Sequence, residues 1–290
     1  MSSFAKLKPD ALGELLATLE ERDLLRLDCA FCNRLERPLY LEALAHIDSG
    51  PLLKQHIFSK PKWERLFSWL CLRGVPAPKT IYLPRGVDDD TMSLIVEKCE
   101  TLANVQKVNA DNKDRENVKL TSESLAAMAR FSSLKELTLR YSPKLTDSSL
   151  RHIVELPIEK LVLGSCRGLT CDAMHHIVAL RCLKDLNSIG VDIGDEGLKI
   201  LTNCKTLQSL ILSGYEMTDA GLKTFSSPTS GLAKTLVDLQ IWSLGNITNE
   251  GIAHLANGFK NLQDLFIIDR GSDSLVTGGC LRHIAQGLSL

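Results

Sequence analysis

The chain has 290 residues, with 34 Lys and Arg against 35 Asp and Glu, a net charge of −1, and 44% hydrophobic residues. That is ordinary globular composition with enough apolar mass for a sizeable core, and it lacks the basic excess of a nucleic-acid-binding domain. No apolar run reaches the roughly 18–20 residues of a membrane helix. The N-terminus has no apolar core of a secretory signal and meets an acidic residue at Asp10, so a cytoplasmic or nuclear protein is expected. The nine cysteines are odd in number and widely spread, which argues against a disulfide scaffold and a four-thiolate zinc site. The lone Cys29-Ala-Phe-Cys32 reads as small buried hydrophobes in a reducing compartment.

Residues 1–78 do not repeat. Leu12, Leu15, Leu16 and Leu19, then Leu24, Leu25 and Leu27, have the spacing of two short amphipathic helices broken at Glu20–Asp23. More helix is expected over 39–47, 51–58 and 63–72, and Arg73–Pro78 reads as a linker from its Gly and Pro. Pro9-Asp10-Ala11-Leu12, Leu15-Leu16, Leu19 and Arg22-Asp23-Leu24-Leu25-Arg26-Leu27 resemble an F-box, with departures at Lys8 and Arg34. That resemblance implies an F-box-like segment over 1–45, followed by a helical linker or cap over 46–78. It also implies that Pro9, Leu12, Leu15, Leu16, Leu19, Leu24 and Leu27 hold the small adaptor of a cullin-type ubiquitin ligase.

From residue 79 onward the chain repeats, and a repeat must be recognised before local structure is assigned. Leu134-Lys-Glu-Leu137-Thr-Leu139 recurs at Leu183–Leu186, Leu207–Leu212, Leu236–Ile241 and Leu262–Ile267. With the middle aliphatic as anchor, the series is 137, 161, 186, 210, 239 and 265, at spacings of 24, 25, 24, 29 and 26. A second landmark follows each anchor: Thr146-Asp147, Gly194-Asp195, Thr218-Asp219 and Thr248-Asn249, with Thr170 as a looser copy. Thr with an acidic neighbour before an apolar run is a helix start. Each unit is therefore a strand, a turn, a capped helix and a return loop. Two earlier copies are expected, anchored at Ile81 and Val105, the second with an insertion in 109–117 and with Lys107 in an aliphatic position.

This pattern resembles the cysteine-containing class of leucine-rich repeats. Cys99-Glu-Thr-Leu102 and Cys204-Lys-Thr-Leu207 match its opening, and Leu161-Val-Leu163-Gly-Ser-Cys166 its close. About eight repeats over 79–290 are expected to form an α/β solenoid, with a concave parallel sheet and convex helices, because no single unit can bury its apolar face alone. F-box and leucine-rich repeats commonly pair in one family. The combined resemblance implies a non-catalytic substrate receptor of a cullin-type ubiquitin ligase. The alternative is a repeat scaffold or inhibitor whose N-terminal helices only cap the solenoid.

No Walker loop, Gly-x-Ser-x-Gly or His-Glu-x-x-His is present, and no enzyme activity, cofactor or metal is expected. His152, His175, His176, His254 and His283 fall in helical halves, on the convex side. Asp88-Asp89-Asp90 occupies a helix-start slot rather than a calcium loop. In strands of this form alternate residues face out. One outward row holds Tyr82, Gln106, Thr138, Val162, Asn187, Ile211, Gln240 and Phe266. A second holds Pro84, Val108, Arg140, Gly164, Ile189, Ser213, Trp242 and Ile268, and a third includes Asp185, Asp238 and Asp264. The expected partner site is protein-binding: Tyr82, Arg140, Asp185, Ile189, Ile211, Asp238, Gln240, Trp242, Asp264, Phe266 and Ile268. It is apolar at its centre and acidic on one edge. Neither nucleic acid nor membrane is an expected partner.

Overall fold

The computed structural model describes residues 59–99, 101–111, 119–268 and 275–277. The expected adaptor-binding residues Pro9 to Leu27, the Cys29–Cys32 pair and His283 lie outside them.

Eight short strands form one parallel sheet in chain order: β1 Thr80–Tyr82, β2 Lys107–Ala110, β3 Glu136–Leu139, β4 Lys160–Val162, β5 Asp185–Asn187, β6 Ser209–Ser213, β7 Asp238–Trp242 and β8 Asp264–Ile268. Helices fill the return path: α1 Lys60–Leu72, α2 Asp89–Lys98, α3 Ser122–Met128, α4 Ala173–Ile177, α5 Gly194–Leu201, α6 Asp219–Phe225 and α7 Asn249–Gly258, with a 3₁₀ segment at Asp147–Ile153. This is the repeat solenoid that the periodicity predicts.

The anchors Ile81, Leu137, Leu161, Leu186, Leu210 and Leu239 line up across the sheet and are buried. The second strand differs from expectation. Its register pairs Val108, not Val105, with Leu137, so Val108 points inward and is buried. Lys107 therefore sits in the outward row beside Glu136, and Asn109 replaces Gln106 in the next. Val105 is buried too, after the 3₁₀ turn Leu102–Asn104. Two buried valines three apart offer the sequence two equally apolar anchors. Ser188 keeps its inward slot, buried, with its hydroxyl directed at the Ile211 carbonyl at 3.4 Å.

Two devices lock neighbouring repeats, the first at every strand boundary and the second at most helix starts. At the start of each strand one carbonyl accepts two amides of the following repeat. Glu159 O takes Lys184 N at 2.8 Å and Asp185 N at 3.0 Å, and Gln208 O takes Val237 N and Asp238 N at the same distances. The second device lies at the helix starts. Thr218 and Thr248 cap their helices with their own hydroxyl oxygens. The aspartate beside such a Thr reaches across the boundary. Asp195 accepts Thr218 N at 2.8 Å and Thr218 Oγ1 at 2.6 Å, and Asp219 accepts Thr248 N and Oγ1 at the same distances. Asp147 holds Thr170 the same way, Asp89 holds Thr121 and Ser124, and Asn249 exchanges two bonds with Thr277. The carboxylate lies so close to the next helix that a Cβ on Gly221 would stand 1.9 Å from Asp195 Oδ1, and one on Gly251 2.3 Å from Asp219 Oδ1. Where Ser122 replaces the aspartate, its hydroxyl meets His152 Nε2 at 3.2 Å instead.

α1 covers the flank of the first repeat. Trp63, Leu66, Phe67 and Leu70 are buried in the same cluster as Ile81 and Met92, and Trp63 stacks on Phe67 with centroids 4.9 Å apart. The helix ends where Gly74 turns left-handed (φ 71°), with Gly74 N bonded to Cys71 O and Val75 N to Leu70 O. That geometry suits glycine because no Cβ opposes it. Arg73–Pro78 is therefore a docked connection, with Val75, Ala77 and Pro78 buried and Ala77 N donating to Thr101 Oγ1 at 2.8 Å. Lys60 pairs with Asp88, the N-cap of α2, and Thr91 donates to Glu64 at 2.9 Å. Burial raises the Asp88 pKa, but the Lys60 ammonium and the Thr91 donors outweigh it and hold the carboxyl below the usual range.

Two outcomes follow from these contacts. Gly221→Ala is expected to lower unfolding free energy by about 1–3 kcal/mol through overpacking against Asp195. Ala220→Gly, on an exposed site of the same helix, is expected to cost about 1 kcal/mol or less; urea denaturation measures both. A depressed folded pKa contributes stability above the unfolded value and loses it as pH falls through the folded one. Asp88→Asn is thus expected to be less stable than wild type at pH 7, by about 1 kcal/mol or less for so exposed a pair. The two midpoints are expected to converge as pH falls through the lowered folded-state pKa of Asp88.

Candidate functional site on the concave sheet face

The register places the outward side chains in straight rows, with adjacent strands roughly 4.8 Å apart. Asp185, Ser209, Asp238 and Asp264 form one row. Asn187, Ile211, Gln240 and Phe266 form the next, and Ser213, Trp242 and Ile268 a third. Ile189 follows β5 at the equivalent position, where Gly190 N is held by Ser213 Oγ at 2.8 Å. The shared register aligns these positions into rows across the last strands.

The expected site residues fall as follows. Ile211, Gln240, Trp242, Ile189 and Ile268 are half-buried, and Phe266 keeps 51% of its surface exposed. These come together over β5–β8. Tyr215, 59% exposed, follows the end of β6; sequence reasoning did not single it out, since it lies beyond the strand. Tyr82 lies at the opposite end of the sheet and is separated from this group by β2–β4. Arg140 also stands apart: its side chain packs over Gly164 and its Nε lies 3.8 Å from Asp111. Pro84, Val162, Gly164 and Ser213, expected outward, are buried.

Charge is distributed unevenly along the face. In the first half it is paired. Lys107 meets Glu136 at 2.6 Å. Lys135 and Lys184 clasp Glu159 at 3.2 and 2.8 Å and hold its carboxyl below its ordinary pKa. Asp185 has Lys160 opposite it in register. At the far end Asp238 and Asp264 stand directly opposite each other in register, and neither makes an ion pair among the described residues. Asp238 Oδ2 accepts the Ser209 hydroxyl at 2.8 Å, while its Oδ1 is buried with no hydrogen-bond donor among the described residues.

Of the described cysteines, Cys99, Cys166 and Cys204 are buried and Cys182 is exposed. Cys166 donates to Leu139 O at 2.9 Å, and burial pushes its thiol up to about 11. The hydrogen bond to Cys99, together with burial, pushes the Cys71 thiol upward as well. Among the described residues no three His, Cys, Asp or Glu side chains are grouped to hold a metal ion, and no helix is long and apolar enough to cross a membrane. His152, His175, His176 and His254 lie on the helical side.

If these rows are assigned correctly, Phe266→Ser is expected to change unfolding free energy by less than about 0.5 kcal/mol. Leu239→Ala, one strand away and buried, is expected to cost about 2–5 kcal/mol. Comparable losses from both in urea denaturation would reverse the assignment of faces.

No protein-family model matches the chain. It is 33% identical over 150 residues to F-box/LRR-repeat protein 4 of Bos taurus, a match covering 49% of this chain and 24% of that protein. The chain therefore spans about a quarter of the curated relative. Among solved structures it is similar to Rad7 in the yeast Rad7–Elc1 complex, with a TM-score of 0.53, 18% identity, and coverage of 86% of this chain and 70% of that one. An internalin (inlF) of Listeria monocytogenes gives a TM-score of 0.48 at 15% identity, covering 87% of this chain and 82% of that one. The chain has the leucine-rich-repeat fold, and about half of it is similar in sequence to an F-box/LRR protein.

Proposed function

We propose that the chain is the substrate receptor of a cullin-type ubiquitin ligase and works in the cytoplasm or nucleus without a catalytic site of its own. In this reading the N-terminal segment holds the small adaptor through Pro9, Leu12, Leu15, Leu16, Leu19, Leu24 and Leu27. The concave face presents a protein substrate to an enzyme elsewhere in the complex.

The observation that carries the reading is the resemblance to an F-box/LRR protein in sequence. The position of α1 supports it. A solenoid's first repeat needs a cover, and α1 supplies one with Trp63, Leu66, Phe67 and Leu70. Residues 60–72 give the first repeat a cover among the described residues, which favours reading the F-box-like leucines of 1–45 as adaptor-binding rather than capping. In the Rad7 structure, a protein of similar fold is seen in complex with Elc1, which fits a repeat protein that works inside an assembly.

The test is a pull-down of the purified 290-residue chain with the F-box adaptor of a cullin ligase, beside a version lacking residues 1–45. The expected result is capture by the full chain and loss on deletion, with the same circular dichroism in the repeat region. A folded full chain that does not bind the adaptor would leave the alternative, a scaffold or inhibitor acting through its concave face alone.

A further inference from the structure

We infer that the last strands of the sheet recognise an extended segment of the partner carrying a Lys or Arg two to four residues from an aliphatic or aromatic side chain. The inference rests on the reading above that the concave face receives the partner.

Three observations converge on it. First, Asp238 and Asp264 sit directly opposite each other on neighbouring strands, and like charges so placed repel. The remaining charges of the row are paired or faced by a cation, so the face carries an unbalanced negative end. Second, Ser209 Oγ donates to Asp238 Oδ2 at 2.8 Å and holds that carboxylate in the row. An ammonium or guanidinium placed over the two carboxylates pairs with both and removes the repulsion. Third, Phe266, Trp242 and Ile268 lie on the same strands, two to four residues further along. Exposed aromatic surface beside charge is the composition of a binding hot spot.

The spacing follows from strand geometry. Asp238 and Trp242 are four residues apart, roughly 13 Å along β7 at about 3.3 Å per residue. An extended partner running along the strand covers that span in about four residues, fewer when a long basic side chain reaches back. A partner with Asp or Glu in the basic position meets two carboxylates and is rejected.

The probe is a display library of random 12-residue peptides selected on the full chain, with the best synthetic peptide measured by fluorescence anisotropy. The expected result is enrichment of Lys or Arg two to four residues from Trp, Phe, Leu or Ile. Affinity should fall about tenfold or more in D238N/D264N, where partnered charge is removed, and in W242A, with circular dichroism unchanged in both variants. The D238N/D264N loss should shrink at high salt. Peptides lost by W242A but indifferent to D238N/D264N would overturn the basic requirement and leave the concave site standing. Selected peptides indifferent to all three substitutions, or no selection above background, would overturn both.

Discussion

The concave face depends on register set at the repeat boundaries, and at four of them a carboxylate crosses: Asp89, Asp147, Asp195 and Asp219. Asp219 sits at the start of α6, yet both of its oxygens are engaged by Thr248, the cap of the next helix. The same exchange joins Asp195 to Thr218 and Asp147 to Thr170. It fixes the height of one helix relative to the next. The shared strand-start carbonyls, such as Gln208 O, fix the strands on the other side. A solenoid has only nearest-neighbour contacts, so register must be set again at every boundary. With the strand edge pinned at every boundary and the helix edge at most of them, residues at equal positions form rows, and a row of unlike residues becomes a surface with a direction.

That direction is chemical. The first half of the sheet pairs its charges internally: Lys107 with Glu136, and Glu159 between two lysines. The second half leaves Asp238 and Asp264 opposite each other and surrounds the rows above them with Ile211, Trp242, Phe266 and Ile268. Such a face gains nothing for folding, since exposed apolar side chains and facing carboxylates do not stabilise the solenoid. Its composition is better matched to association, where the same groups are desolvated by a partner.

Most of this arrangement is legible in the sequence because the repeat enforces it. The anchors from Leu137 to Leu265 recur at 24–29 residues, and once they are placed the outward rows follow from strand alternation alone. The reading fails where the repeat is worn. Val105 and Val108 are both buried, so periodicity cannot choose between them; the pairing of Val108 with Leu137 decides it. The crossing aspartates were legible only as helix-start residues, since a bond to a residue 23–29 positions on leaves no local pattern. A signal was nonetheless present. Gly221 and Gly251 recur three residues after Thr218 and Thr248, and each makes room for the aspartate of the repeat before. The pairing of charge within the first half was not legible, because it depends on which side chains meet laterally.

The account is tested most directly by amide hydrogen exchange at Thr248 in the intact chain and in Asp219→Ala. The amide is expected to be strongly protected in the intact chain and to exchange much faster in the variant. Protection across β7 and β8 should fall with it, while β3 and β4, several boundaries away, stay as they were. Equal protection of the Thr248 amide in both proteins would contradict the claim that the crossing carboxylate holds the repeats, and with them the rows of the concave face, in register.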